Sequence, residues 1–360
     1  MKKVIFFIIG LTVLILILPS CEDYLDREPL DRIGNNSYWK TAIDLENYTL
    51  QYYASLPSFS DSNHGALGWD ASRGSDTQII GNPSIRMNGG RSPVISGGNW
   101  QWSQIRSINI FFDNYRKCDE PVEVYGHFLG EAYFFKAWFY FELLRSYGDV
   151  PWFTHALEMS SEELYKPRDS RLVVADSILW SLDQAIKYMN PLSAVSGGSN
   201  RLSKEAALLF KSRVALHEGS WQKYHRNTSF GTNGADPKKY FRIAVDAAEE
   251  LMKSEYTTGL YSTGNPGEDY CKMFSLKDQS ANREALLWKR FDTGLGLSHV
   301  FQVYISGRTG EVSVTLEQIQ HYLDRNGTPY DYMEVGKTVK GNQFLSKISE
   351  DCDSRLSQIV

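Results

Sequence analysis

The stretch that most constrains this chain runs from Asp119 to Phe153, DEPVEVYGHFLGEAYFFKAWFYFELLRSYGDVPWF. Asp119 can cap a helix, because its carboxylate accepts the unpaired N–H groups of a first turn. Pro121 suits that first turn, where a missing N–H costs nothing. Gly148 and Pro151 supply the stop. Between these signals the middle turns are apolar nearly all round: Ala132, Tyr133, Phe134, Phe135, Ala137, Trp138, Phe139, Tyr140, Phe141, Leu143 and Leu144. A helix of that kind is buried by neighbours on several sides. The competing reading is a membrane span. Glu131, Lys136, Glu142 and Arg145 interrupt the run, which falls short of the ~20 apolar residues a bilayer requires. Other helices must therefore wrap this one.

The rest of the chain supplies them. Ala42, Leu45, Tyr48, Tyr52 and Leu56 fall on one helical face, ended by Pro57. From Asn99 to Lys117 the stripe is Trp102, Ile105, Ile108, Phe112 and Tyr115. From Arg171 to Asn190 it is Ala175, Ile178, Leu182, Ala185 and Met189. From Ser203 to Ser220 it is Ala206, Leu209, Phe210, Val214 and Leu216. Asp236-Pro237 opens a further helix by the cap-then-proline rule, with Tyr240, Ala244, Ala247 and Leu251 inward. Thr315 to Leu323 reads as a last short helix. The pattern is paired helices with small residues at close contacts, without a strict repeat. The predicted class is mostly α: a tetratricopeptide-like helical superhelix, with helical pairs over about 41–56 and 99–255.

Two loop-rich lobes interrupt it, 57–98 and 257–314. In the first, Gly, Ser, Asn, Asp and Pro dominate, yet Trp69, Ile79, Ile80, Ile85 and Met87 argue against disorder, which needs low hydrophobicity. In the second, Ala285–Trp288 and His299–Ile305 read as short strands.

The amino terminus reads as a targeting segment. Lys2 and Lys3 precede an apolar run from Val4 to Leu18, and Leu18-Pro19-Ser20-Cys21 follows. A basic front and a short apolar run make a secretory signal over residues 1–20; an uncleaved anchor is the alternative. The Leu-x-Ser-Cys ending resembles a bacterial lipobox, which implies cleavage before Cys21 and its lipidation. Acyl chains would then hold the protein at a membrane surface. Of the remaining cysteines, Cys118, Cys271 and Cys352 are widely spaced and form no zinc or redox pair of the Cys-x-x-Cys type, though one bridge stays open. The net charge of −5, with no basic cluster, does not suggest nucleic acid.

Enzyme signatures are poor. His217-Glu218 lacks the second His of a zinc-protease helix, and Gly294-Leu295-Gly296 lacks the third Gly of a dinucleotide loop. No Gly-x-Ser-x-Gly elbow occurs. No cofactor is expected. Aromatic residues make up 13% of the chain, more than a core needs, and this surplus favours a ligand-binding surface over a pure protein-binding scaffold.

Several collinear segments resemble the SusD/RagB family of outer-membrane nutrient-binding lipoproteins of Bacteroidetes. They are Asp23-Tyr24-Leu25-Asp26 after Cys21, Ser37-Tyr38-Trp39-Lys40-Thr41, Trp102 with Ile105 and Asn109, Gly130 to Trp138, Tyr147-Gly148-Asp149-Val150-Pro151, Pro167-Arg168-Asp169, Lys204-Glu205-Ala206-Ala207 and Trp221-Gln222-Lys223-Tyr224. The resemblance covers 21–360. Asp353-Ser354-Arg355-Leu356 is similar to a segment that lies well before the end of family members, so the chain reads as C-terminally truncated. The resemblance implies a non-enzymatic, surface-exposed lipoprotein of the outer membrane, lidding a SusC-like TonB-dependent transporter and holding an oligosaccharide or a peptide. It also implies ligand contacts in the two lobes: Trp69, Arg73, Asp76 and Asn82 in the first, Tyr261, Phe291 and Tyr304 in the second. Trp69 would stack on a sugar face while Arg73 and Asp76 take its hydroxyls. Trp102, on a helical stripe, is expected in the core.

Overall fold

The computed structural model describes residues 38–57, 77–80, 89–90, 100–257, 259–297 and 312–358. Cys21 and residues 1–20 lie outside them. In chain order the elements are α1 (Ala42–Leu50), β1 (Gln78–Ile80), α2 (Ser103–Asn114), α3 (Val122–Tyr147), α4 (Arg171–Tyr188), α5 (Lys204–Tyr224), α6 (Pro237–Met252) and α7 (Asp269–Ser275). Then follow β2 (Val312–Val314), α8 (Leu316–Gln320), α9 (Tyr332–Thr338), α10 (Gly341–Asp351) and α11 (Ser354–Ser357). The two strands pair antiparallel, Gln78 opposite Val314. The mostly helical expectation holds.

The long apolar run is the hub. In α3 the side chains of Ala132, Phe135, Ala137, Tyr140 and Leu144 have no solvent exposure at all. Helices α1, α2 and α4 pack along it, and Phe210 of α5 meets the rings of Phe134, Trp138 and Phe141. Gly130 permits the closest approach. A Cβ there would stand 2.7 Å from the Met189 side chain and 2.9 Å from its backbone nitrogen, so this face of the hub has no room for even a methyl group.

The start of the hub differs from expectation. Pro121 is the N-cap and no side chain caps the helix. Asp119 instead donates its backbone N–H to Lys40 O at 2.9 Å, and Glu120 accepts the Ala42 N–H at 3.2 Å. The acidic pair serves the first turn of α1, whose own Thr41 and Asp44 form a reciprocal capping box. Gly148 closes α3 as expected, at φ 73°, with its N–H on Leu144 O at 3.0 Å.

Two ion pairs are buried in the hub region. Glu131 is fully buried and accepts from Arg201 at 2.7 and 2.9 Å, from Thr49 at 2.7 Å and from Tyr53, while Arg201 also pairs with Glu46. Arg171 and Glu218 pair with contacts of 3.0 and 3.1 Å at Nε. These pairs tie α1, α3, α4, α5 and the loop before α5 together, because breaking one leaves a buried charge uncompensated.

Some stripes rotate. Leu209 and Leu216 face solvent, while Leu208 is buried against Ala247 and Leu251. Trp138 is half-buried against Phe210. In α2, Phe111 rather than Phe112 points fully inward. Each of these helices has neighbours on more than one side, so a single stripe cannot describe its inward face. Ala285–Trp288 is no strand but a run of bends, with the Trp288 N–H on Ser199 O at 2.9 Å; His299–Ile305 lies outside the described residues. The last predicted helix shortens to Leu316–Gln320. Beyond it, α9, α10 and α11 form a separate small cluster of Ile319, Tyr332, Ile348, Cys352 and Leu356. Cys118, Cys271 and Cys352 are all free thiols.

Candidate functional site

A cavity of about 380 Å³ opens where the start of α2 faces the chain leaving the hub. Its aromatic walls are Trp100, Trp102 and Phe153, and its polar walls are Arg106, Asn109 and His155. Trp100 is 40% exposed. The rings stand edge to face: Trp100 to Trp102 at 5.1 Å and Trp102 to Phe153 at 5.5 Å.

The wall at 152–157 has no helix or strand of its own. Its backbone is held by side chains of α2 and α3. Phe153 donates its N–H to Tyr140 Oη at 2.7 Å. Asn109, almost fully buried, donates to Phe153 O at 3.2 Å and to His155 O at 3.0 Å. Asp113 accepts the Ala156 N–H at 2.9 Å, and Arg106 Nε donates to Leu157 O at 3.1 Å. Backbone without a ladder needs such partners when partly buried. Behind Asn109 sits Lys136, whose Nζ donates to Asn109 Oδ1 at 2.8 Å and lies over the rings of Phe112 and Trp152. Burial pulls the Lys136 ammonium down to about 8.

The arrangement offers flat ring faces and edges beside a half-exposed guanidinium and an imidazole. Arg106 also reaches Glu158 at 3.2 Å, and His155 reaches Glu163 at 3.2 Å. This is a surface for stacking and hydrogen bonding. Among the described residues no group of three or more His, Cys, Asp or Glu could hold a metal ion.

The residues singled out from sequence lie elsewhere. Trp69, Arg73, Asp76, Asn82 and Tyr304 fall outside the described residues. Tyr261 is half-buried, its N–H on Glu284 at 2.7 Å, and Phe291 is half-buried after Arg290; neither lines the Trp100 cavity. Trp102, expected in the core, is half-buried and forms a cavity wall, because it stands at the N-cap of α2 rather than inside the helix. The sequence signal that could have found the site is Trp100-Gln101-Trp102 placed immediately before a helix, with Arg106 one turn in.

Comparison with known proteins agrees with this architecture. Residues 98–216, which include the cavity's aromatic and arginine walls, match a family described as SusD-like, starch-binding associating with outer membrane. Over this segment the chain is similar to the SusD-like family. SusD-like protein P38 of Formosa agariphila is 30% identical over 238 residues, covering 62% of this chain and 44% of that protein. SusD-like protein P2 of the same organism is 24% identical over 269 residues, covering 72% of this chain and 52% of that protein. The chain thus spans about half the length of the curated relatives it matches. Among solved structures, a SusD-like protein from Bacteroides fragilis superposes with a TM-score of 0.63 at 22% identity, covering 92% of this chain and 62% of that one. A SusD-like carbohydrate binding protein from the same species gives 0.63 at 17% identity, covering 89% and 59%. At such identity these two carry the fold. Among the described residues no helix is long and apolar enough to cross a membrane.

Proposed function

We propose that this chain is the glycan-holding part of a nutrient-binding lipoprotein of the outer membrane, without catalytic activity. The observation that carries the reading is the Trp100–Trp102–Phe153 wall beside Arg106, mounted on the rigid hub. Sugar rings present C–H faces to aromatics and hydroxyls to polar side chains. The family description supports a saccharide ligand, as does the carbohydrate-binding relative of like fold. In the same reading residues 1–20 are a signal peptide, Cys21 carries the lipid anchor, and 21–360 form one SusD-like unit. A SusC-like TonB-dependent transporter receives the captured oligosaccharide. Trp69, Arg73, Asp76 and Asn82 of the first lobe, with Tyr261, Phe291 and Tyr304 of the second, are proposed as additional ligand contacts.

The test is binding of the purified chain to a panel of oligosaccharides by calorimetry, with Trp100→Ala and Arg106→Ala. Each change should weaken binding by about tenfold or more, the scale of one lost stacking or charge-assisted contact. The melting temperature should stay within a few degrees, since both side chains are substantially exposed. Unaltered affinity in both variants would place the ligand away from this cavity.

A further inference from the structure

A second and larger cavity, of about 970 Å³, lies nearby, and its wall residue Arg168 stands over the Trp100 ring. Tyr147 connects the two: it lines this cavity and meets Trp100 edge-on at 4.8 Å. The other walls include Arg145, Asp149, Arg168, Arg171 and Phe230. Phe230 is 66% exposed and Arg171 is sealed into the floor.

The three arginines differ in how their charge is met. Arg171 pairs with Glu218 and spends Nη1 on Leu144 O at 3.2 Å. Arg145 reaches Glu142 at 3.1 Å. Arg168 is exposed and, among the described residues, pairs with no carboxylate. Its one hydrogen bond goes from Nη1 to Asp149 O at 3.4 Å, which is long. The Asp149 carboxylate is engaged elsewhere, accepting the Arg171 backbone N–H at 2.7 Å. Meanwhile the Arg168 guanidinium lies over Trp100, with Cζ 4.8 Å from the ring centroid. Stacking holds a guanidinium in place through its face and leaves the donors along its edge available. An edge so presented matches a carboxylate by two parallel hydrogen bonds.

We infer that this cavity is a binding site for an acidic saccharide unit, held through its carboxylate by Arg168, and that it continues the Trp100 cavity so that one oligosaccharide spans both. The inference rests on the glycan reading above and adds the ligand's charge to it. Trp100, a wall of the first cavity and in contact with Arg168 of the second, then stands between the two ligand units.

The experiment compares two ligands of one shape: an oligogalacturonate and the same oligomer as its methyl ester, each titrated into the purified chain. A sulfated neutral oligomer serves as a third arm, separating carboxylate recognition from general attraction to anions. The acid should bind roughly tenfold to hundredfold more tightly than the ester, the range of a hydrogen-bonded charge contact. That preference should shrink with added salt in the unaltered protein. Arg168→Gln should bring the acid down to the ester's affinity while moving the ester less than about threefold. Arg168→Lys, which keeps the charge but not the fork, should retain only part of the preference. Equal binding of acid and ester by the parent chain overturns the inference and leaves the glycan reading standing. A preference that survives in Arg168→Gln overturns the assignment to this cavity. Tighter binding of the sulfated arm than of the carboxylate overturns the ligand class. Failure of every oligomer to bind overturns both readings together.

Discussion

The hub bundle and the C-terminal cluster are built at opposite extremes of one design. Around α3, a helix of 26 residues is enclosed by four others and crossed by two buried ion pairs. In the C-terminal cluster, helices of 5, 7, 11 and 4 residues surround only five buried side chains. Its shape depends on single side-chain-to-backbone bonds, such as Asp324 Oδ1 accepting from Asn326 and Thr328, and Tyr332 Oη donating to Tyr322 O at 2.8 Å. It meets the rest of the described chain through contacts such as Gln358 with Cys271 and Pro266. Short helices contribute little on their own, since nucleation is costly and stability comes from packing. The contrast teaches that helicity is shared by both regions while extensive packing belongs to the first.

The largest expected effect is in the hub. Phe135→Ala removes a fully buried ring and should cost about 3–5 kcal/mol, read as a lower denaturant midpoint of the main transition. An unchanged midpoint would mean that the hub does not carry the bundle.

Glu131→Gln comes next, at about 3 kcal/mol, because it leaves Arg201 without its full counter-charge. Burial pushes the Glu131 carboxyl up, but the hydrogen bonds and charges of Arg201 and His127 outweigh burial and hold it down to about 2, against 4.5 for a free glutamate. A depressed carboxyl contributes fully above pH ~4.5, and that contribution is lost as the pH falls toward ~2. The parent should therefore lose stability through that window more steeply than Glu131→Gln. Parallel curves would show that the pair is not coupled to folding.

Ile348→Ala sharpens the comparison from the other side. The side chain is fully buried, so the local cost should be about 2–4 kcal/mol. It should appear as faster proteolysis and amide exchange over 316–358, with the main transition nearly unmoved. A matching fall in the main transition would join the two regions into one unit.

The last expected effect concerns Lys136. Its buried ammonium ordinarily titrates at 10.5 and is lowered to about 8 by burial. Between those values the unfolded chain binds more protons, so stability should rise with pH across that window. Lys136→Met should flatten the rise.

The hub was legible from the sequence because apolar residues all round a helix admit few arrangements. Its stop was equally plain, since Gly148 and Pro151 act locally. The cap was not, because whether Asp119 or Glu120 serves α3 or α1 depends on a neighbour some 80 residues away. Glu131 read as an interruption of the apolar run, while its partner Arg201 sits in a loop whose position only packing decides. The cavity escaped for a related reason. Trp102 belongs to a helical stripe by spacing, and at the N-cap it packs on the core beside Tyr140 while also walling the cavity. Of the C-terminal cluster only the first helix, within Thr315 to Leu323, was legible from the sequence; α9, α10 and α11 were not.

The ladder-free wall at 152–157 has a further consequence, which concerns time. Its course is dictated by Tyr140, Asn109 and Asp113, so it cannot take shape before α2 has docked on the hub. During refolding, ring burial in the bundle should come first, and the proposed ability to capture a saccharide should arrive afterwards as a distinct kinetic phase. Stopped-flow tryptophan fluorescence, run beside double-jump ligand capture, would follow the two clocks separately. Coincident traces would mean that wall and bundle assemble in one step. With a lag, the saccharide would meet its site only on chains whose bundle is already complete.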